Sequence, residues 1–419
     1  MSNYAVEHLK PHYHKAVLDW QERNFKDMGI LMQNWEKHWK SVPPFQLNAK
    51  VGELKNPDIE YGVRKGQKRL EHAAEMTGNM FYSACDIIKV QCSTELGSIQ
   101  QHRLTLDEAI SDEHRFSILR IMAEELRHGY QMFWVLDHDD KWAPAGHDDV
   151  AKDTIESLLA MELGTHMLDA FNIEFTSILD NMVYAAIIDL VGKYQLSMQQ
   201  HFSYAPMARS MGPMLVEENF HMGSGRKHLK EVVQQAAQEK GRYSLDDISR
   251  YFRVWYPRGL EMFGSERGGT TAVNFGFKDK DNATAQAEYR AEVEGIVDGL
   301  NAAAIEVWKA GINGADARGL AALIRETQET QQGVKPEQLI QLPSRLFYRR
   351  RGNDEATYAP FDVHGRRMTE AGHDLTPEHY FKYMESVLPA KYLKTRDWED
   401  HKANYSRWNS PDGRHFSMV

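Results

Sequence analysis

The chain has 419 residues, 42% of them hydrophobic and 26% charged, which is ordinary for a globular protein and allows one large domain or two. The formal net charge of −10 argues against a general nucleic-acid-binding protein and against a basic membrane-surface protein. The two cysteines, Cys85 and Cys92, exclude a disulfide scaffold and read as small core residues on one helical face.

Helical periodicity dominates the first 240 residues. A helix is expected from about His14 to Trp39, where SVPPF ends it, and a second region runs from about Gly66 to Arg103. A third opens on an acidic turn near 106–108 and continues to about Asp137, before the loop KWAPAGHDD. Helical signal returns over about 150–201, with breaks, and again over 206–237. The middle of the chain therefore predicts four long helices.

The C-terminal third is less regularly helical in its sequence pattern. Glycine content predicts a loop over 264–281, followed by a helix over about 282–332. Residues 334–375 carry proline, glycine and aromatic side chains with little helical period, and one more helix is expected at 377–387. No low-complexity linker separates these parts. The predicted division is a helical bundle with N-terminal helices over 1–240 and an extension packed on it over 241–419.

Three Glu-x-x-His pairs occur, at Glu125/His128, Glu218/His221 and Glu370/His373, where chance alone predicts about one or two. The third lies in TEAGHDLTPEH, whose glycine and proline argue against a continuous helix, so it is taken as the accidental one. The other two share a doubled glutamate, in EELRH and EENFH, and are 93 positions apart.

Each of these two pairs has a carboxylate about thirty residues ahead of it, Glu95 in one case and Asp189 in the other. Those carboxylates are 94 positions apart, nearly the spacing of the pairs themselves. The chain thus reads as two copies of one unit, in which a helix with a carboxylate is followed by a helix with Glu-x-x-His.

Residues three apart share a helix face, so the glutamate and the histidine of a pair can hold one metal side by side. Four helices that supply four carboxylates and two imidazoles match the di-iron or di-manganese pattern of ferritin-like bundles. Such donors favour iron or manganese over thiolate-loving metals. The predicted fold is an all-α, ferritin-like four-helix bundle with a dinuclear metal site, formed by Glu95, Glu125, His128, Asp189, Glu218 and His221.

The neighbouring glutamates Glu124 and Glu217 point about 100° away on an ideal helix, so they are not expected to be metal ligands. The alternatives for both are a hydrogen bond to a ligand or a solvated face, and the solvated face is favoured. Gln91 lies one turn before Glu95 and is a candidate for contact with the outer sphere of the metal. Residues one turn from the predicted ligands are candidates to line an apolar substrate pocket, although such spacing is more typical of core: Ile121, Met122, Met214 and Leu215.

HRFSILRIMAEELRHGYQM, DAFNIEF and YAPMARSMGPMLVEENFHMGSG resemble the oxygenase component of the benzoyl-CoA epoxidase family, which is related to the catalytic subunit of phenylacetyl-CoA epoxidase. The resemblance covers most of residues 80–232. It implies a di-iron enzyme, with the six ligands just given, that uses O2 and two electrons to epoxidise the ring of an aromatic acyl-CoA such as benzoyl-CoA. It also implies a separate flavin and iron–sulfur reductase that oxidises NADPH, so NADPH is used only indirectly.

A CoA ester carries phosphates, which arginine forks bind well. Arginines cluster twice in the C-terminal third and occur once near the second pair, although such clusters are more often solvated surface: Arg345, Arg349, Arg350 and Arg351, then Arg366 and Arg367, and Arg209. We expect a monomer or homodimer. Without a signal peptide or a spanning segment in the sequence, we expect a cytoplasmic protein with no membrane or nucleic-acid partner.

Three alternatives stay open at this stage. One is a related di-iron oxygenase that acts on another thioester or on a carrier-bound substrate. Another is an iron-oxidation or iron-storage protein of the ferritin type, for which the long C-terminal third has no evident purpose. The last is a radical-generating subunit, which needs a tyrosine near the irons; Tyr184 and Tyr194 flank Asp189.

Overall fold

The structure is a computed structural model of the chain. It describes residues 11–138, 142, 150–264 and 266–311, together with 339, 340, 342, 392–394 and 399. Ten α-helices lie within these ranges: α1 Pro11–Asn24, α2 Met28–His38, α3 Asn79–His102, α4 Asp112–Asp137, α5 Ala151–Leu159, α6 Ile178–Gln199, α7 Ala205–Ala237, α8 Leu245–Glu261, α9 Glu266–Asn274 and α10 Asn282–Gly311.

Helices α3, α4, α6 and α7 form a four-helix bundle, which confirms the all-α, ferritin-like prediction. Helix α3 packs on α4, α6 packs on α7, and α4 packs on α7 across the two hairpins. At Gly225 the backbones of α6 and α7 come so close that a Cβ atom would lie 2.6 Å from the Ala186 nitrogen. In the described ranges β-structure is limited to two isolated bridges, Asp58 with Lys68 and Leu70 with Tyr204.

The sequence encodes the start of two bundle helices directly. The Ser111 hydroxyl accepts a hydrogen bond from the His114 backbone nitrogen and caps α4, whose first turn carries Asp112 and Glu113. Ser177 and Asp180 form a reciprocal capping box at α6. These caps satisfy backbone donors that have no partner within the helix, and so fix where each helix begins.

The single N-terminal helix expected over 14–39 is wrong, because the chain breaks between α1 and α2. The Asn24 side chain donates to the Trp20 carbonyl oxygen at 3.0 Å and so competes with the helix ladder. Arg103 then binds the end of α1, donating to the Arg23 carbonyl oxygen at 3.0 Å and to Asn24 Oδ1 at 2.7 Å. Helix periodicity continued past this break and gave no sign of it.

Other helices also differ from the sequence expectation. Helix α3 begins only at Asn79, since Gly66 and Gly78 have φ values of +86° and +52° that interrupt any earlier helix. Residues 266–274, expected as loop, form α9 because contact with α10 outweighs the low helix propensity of its glycines. Helix α8 was not anticipated. The expected irregular stretch and the helix at 377–387 lie outside the described residues, apart from 339, 340 and 342.

The segment between α2 and α3 contains turns and a short 3-10 helix, Ala73–Glu75, and runs beside the start of α7. Leu70 exchanges backbone hydrogen bonds with the start of α7, donating to the Ser203 oxygen at 2.8 Å and accepting from the Ala205 nitrogen at 2.7 Å. Further back, the Gly52 nitrogen donates to the Arg209 oxygen at 3.0 Å. The segment 39–78 is thereby held against the N-terminal part of α7.

Helices α8 and α10 cover the α6–α7 hairpin from the other side. Glu292 of α10 forms ion pairs with both helices of this hairpin: its carboxylate lies 3.0 Å from Lys193 Nζ of α6 and 2.9 Å from Arg226 Nη2 of α7. Within the described part of the chain, no helix combines the length and apolar character needed to span a bilayer. The boundary at residue 240 stays a prediction.

Candidate metal centre

Six acidic and histidine side chains from the four bundle helices meet in one buried cluster. Helix α3 contributes one of them, α4 two, α6 one and α7 two, and each side chain is at most 6% exposed. Their oxygen and nitrogen atoms fall into two groups, in each of which the atoms lie within 4.8 Å of one another. The members are the six residues that the sequence repeat singled out: Glu95, Glu125, His128, Asp189, Glu218 and His221.

One group surrounds His128. Its Nδ1 atom lies 3.3 Å from Glu95 Oε2, 3.6 Å from Glu125 Oε2 and 3.6 Å from Glu218 Oε1. Three carboxylates and one imidazole thus point at one small volume. We call this volume the His128 position.

The other group comprises Glu125, Asp189 and His221, and Glu218 of the first group lies beside it. The His221 Nδ1 atom lies 3.8 Å from Glu125 Oε1, 3.9 Å from Asp189 Oδ2 and 3.5 Å from Glu218 Oε2. We call this volume the His221 position. Glu125 and Glu218 present one oxygen to each position, and the two imidazole rings are 5.8 Å apart between centroids. This is the arrangement that two cations bridged by two carboxylates require.

The donor atoms that face these positions fit a metal ion. Among the described residues, four of them are buried without a hydrogen-bond partner: His128 Nδ1, His221 Nδ1, Asp189 Oδ2 and Glu218 Oε2. Buried polar atoms left unpaired are costly, so their convergence favours a bound ion. Carboxylate oxygens with one imidazole nitrogen per position suit iron or manganese.

Burial and the neighbouring charges shift the pKa values of the cluster side chains. Burial and the nearby Glu95 carboxylate raise the pKa of Glu125 well above its ordinary value, and burial with Glu218 does the same for Asp189. Burial alone would lower the pKa of His128 and of His221, but the surrounding carboxylates raise both well above the ordinary value. A divalent cation that binds here would therefore compete with protons for the same side chains.

The doubled glutamates lie behind the ligand histidines, which is the less favoured of the two alternatives; the favoured one, a solvated face, is wrong. Glu124 is 3% exposed, and its Oε2 lies 3.1 Å from Nε2 of His221, the histidine of the other pair. Glu217 is 7% exposed, and its Oε2 lies 2.9 Å from Nε2 of His128. Each outer carboxylate thus fixes the opposite histidine with Nδ1 turned inward, the usual arrangement behind a metal-bound histidine.

Arginines compensate these outer carboxylates. Arg120 Nε donates to Glu124 Oε1 at 2.9 Å, and its guanidinium lies 3.7 Å from the ring centre of Phe220. Arg127, fully buried, forms a bidentate pair with Glu217, with Nε 2.8 Å from Oε2. Although burial raises the pKa of Glu217, the hydrogen bond from His128 and the charge of Arg127 bring it below its ordinary value.

Two smaller side chains orient the ligand carboxylates. Gln91 Nε2 donates to Glu95 Oε1, so this candidate does contact a predicted ligand. Ser98 Oγ donates to Glu125 Oε1 at 3.1 Å. Burial and the nearby charges of Asp189 and Glu125 raise the pKa of the Tyr184 hydroxyl. Tyr184 is therefore near the cluster, whereas Tyr194 donates to Glu292 at 3.0 Å and is tied to α10.

The candidate substrate residues divide into three groups. Ile121, Met122 and Met214 are buried and Leu215 packs partly buried against the core. Arg209 pairs with Glu71, with Nη2 2.6 Å from Oε1. The arginines at 345, 349, 350, 351, 366 and 367 lie outside the described residues.

Sequence reasoning missed Arg127, Ser98 and Lys50. Arg127 stands inside the motif EELRH, so its closeness to the doubled glutamate was visible, but its pairing with α7 was not. Ser98 lies three residues after Glu95, on the same helix face. Lys50 carries no local signal, because its contact depends on how segment 39–78 passes over α4 and α7.

Comparison with known proteins gives a distant relative. No family model matches the chain. Benzoyl-CoA oxygenase component B from Aromatoleum evansii is 24% identical over 292 residues, which are 65% of this chain and 57% of that protein. The chain thus spans little more than half of the relative's length. The comparison shows that the chain is similar to an oxygenase component. The structure shows a buried carboxylate–histidine cluster that is compatible with a di-iron site.

Proposed function

We propose that this protein is a di-iron oxygenase that uses O2 and two electrons from a separate reductase to epoxidise the ring of an aromatic acyl-CoA. The observation that carries the proposal is the pair of adjacent positions that share Glu125 and Glu218. Two bound ferrous ions would supply the electrons that activate O2, with one oxygen atom going to the substrate and the other leaving as water.

The chain's own residues have three tasks in this proposal. Glu95 and Asp189 would each complete one metal position, and Glu125 and Glu218, with one oxygen near each histidine, would contribute to both. The outer carboxylates hold both imidazoles in the tautomer that presents Nδ1 to the metal. The apolar walls of the bundle exclude water, which protects a strong oxidant from side reactions.

An oxygenase is favoured over an iron-storage protein by two observations. The similar protein is itself named an oxygenase component. In addition, α8 and α10 enclose the α6–α7 hairpin, a structure that a simple iron-oxidising bundle does not need. The name "component B" supports a separate electron-donating partner, for which we propose a flavin and iron–sulfur reductase that oxidises NADPH.

Benzoyl-CoA or a close analogue is the proposed substrate, by similarity to the named relative. The apolar residues on the ligand-bearing helices are proposed as pocket wall: Ile121, Met122, Met214 and Leu215. The arginines at 345, 349, 350 and 351 are proposed for the CoA phosphates. Arg209 is a weaker choice, since Glu71 already occupies its guanidinium.

The test is oxygen uptake by the iron-loaded protein with a flavin reductase and NADPH, with and without benzoyl-CoA. The proposal predicts uptake that depends on the thioester and a product heavier by one oxygen atom in mass spectrometry. Iron oxidation that is indifferent to the thioester would instead support a storage protein. A radical-generating subunit would instead be supported by two results together. Electron paramagnetic resonance would show a stable tyrosyl signal that Tyr184→Phe removes, and no oxygenated product would form.

A further inference from the structure

The internal repeat makes the two metal positions alike, but their outer charges differ. Glu124 is compensated by Arg120 from one turn earlier on its own helix. Glu217 is compensated twice, by Arg127 across the helix interface and by Lys50 from segment 39–78, whose Nζ lies 2.6 Å from Glu217 Oε1. The His128 position therefore has one cation more behind it than the His221 position.

The backbone fixes the place of this extra cation. The backbone nitrogen of Lys50 donates to Gln131 Oε1 of α4 at 2.7 Å. Gln131 Nε2 in turn donates to Ser210 Oγ of α7 at 2.8 Å, so this contact joins α4 and α7. Two residues on, the Gly52 nitrogen is bound to the Arg209 carbonyl oxygen. A Cβ at Gly52 would lie 3.1 Å from that oxygen, which explains a glycine at this close approach.

Lys50 is not needed to orient Glu217, because the buried Arg127 guanidinium already binds both oxygens of that carboxylate. What Lys50 adds is charge. The Lys50 ammonium beside Glu217 weakens the hydrogen bond between this carboxylate and His128 Nε2. Its positive charge also repels a cation at the His128 position. The Lys50 side chain is 44% exposed, so water screens part of this effect.

We infer that Lys50, acting through Glu217, lowers the affinity of the His128 position for divalent cations and so makes the two metal positions unequal. The inference rests on the metal site of the proposed function and assigns segment 39–78 a part in tuning it. Removing the charge should tighten cation binding at the His128 position by roughly three- to ten-fold.

The experiment is calorimetric titration of the apo-protein, as the full chain, with Co²⁺. Two backgrounds separate the positions: Asp189→Ala leaves the His128 position and Glu95→Ala leaves the His221 position. Lys50→Met should tighten binding roughly three- to ten-fold in the first background and less than two-fold in the second. Lys50→Arg, which keeps the charge, should bind as the unsubstituted chain does.

Lys227→Met is the matched control, since Lys227 is 48% exposed and pairs with Glu113 across the same two helices without touching an outer carboxylate. It should leave both affinities unchanged. An effect of Lys50→Met that is absent, opposite in sign, equal in both backgrounds or reproduced by Lys227→Met overturns the inference alone. Failure of the unsubstituted protein to bind Co²⁺ stoichiometrically overturns the proposed metal site as well.

Discussion

Replacement of Glu217 by alanine tests the buried network directly. The Arg127 side chain is fully buried, and without Glu217 its nearest remaining acceptor is Gln131 Oε1 at 3.4 Å. Loss of one partner from a buried ion pair costs about 3–5 kcal/mol, because the other charge stays buried and uncompensated. We therefore expect the apo-protein to lose about 3–5 kcal/mol in its free energy of unfolding.

The assay is urea unfolding at pH 7 with a chelator present, followed by circular dichroism and tryptophan fluorescence. Glu113→Ala is the matched control: Glu113 also pairs with a lysine, but its side chain is 64% exposed, so its removal should cost no more than about 1 kcal/mol. In the loaded protein, Glu217→Ala should also weaken metal binding by about 10- to 100-fold. A loss for Glu217→Ala below about 1 kcal/mol, or equal to the control, would refute the description of this pair.

Three further substitutions give predictions of definite sign. Gly225→Ala should lower the free energy of unfolding by about 1–3 kcal/mol, since its Cβ would lie 2.6 Å from the Ala186 nitrogen, whereas Gly223→Ala, with nothing within 4 Å, should raise it by about 0.5–1 kcal/mol. Urea unfolding measures both, and equal effects would contradict the close α6–α7 approach. Burial lowers the pKa of His102 to about 3, so the stability from keeping it neutral is present above its unfolded-state pKa and is lost as pH falls below that value. Between pH 7 and pH 5, His102→Phe should therefore gain about 2 kcal/mol relative to the unsubstituted protein, and an unchanged difference would mean that His102 is not buried as a neutral side chain.

The bundle and the cluster could be anticipated because they depend on local patterns that occur twice. Glu-x-x-His places two donors on one helix face. The carboxylate about thirty residues ahead of each pair then identifies the other two helices of the bundle. The doubled glutamates were misjudged for a related reason. An ideal helix places Glu124 off the ligand face, but the facing helix brings His221 to that flank, and sequence spacing within one helix cannot report this.

The contacts that sequence could not supply are those between distant segments. Lys50 meets Glu217 only because segment 39–78 passes over α4 and α7, and the end of α1 at Asn24 is bound by Arg103, which lies just after α3. Helix α9 likewise forms by packing against α10, in spite of glycines that favour a loop. In each case tertiary contact outweighed local propensity.

The central claim is that the two repeated hairpins build one site for two metal ions. The most direct test is iron analysis of anaerobically reconstituted protein, for the unsubstituted chain and for Glu125→Ala and Glu218→Ala. We predict two irons per chain in the unsubstituted protein and a loss of iron in each variant, because both glutamates contribute to both positions. Retention of two irons by both variants would contradict the account.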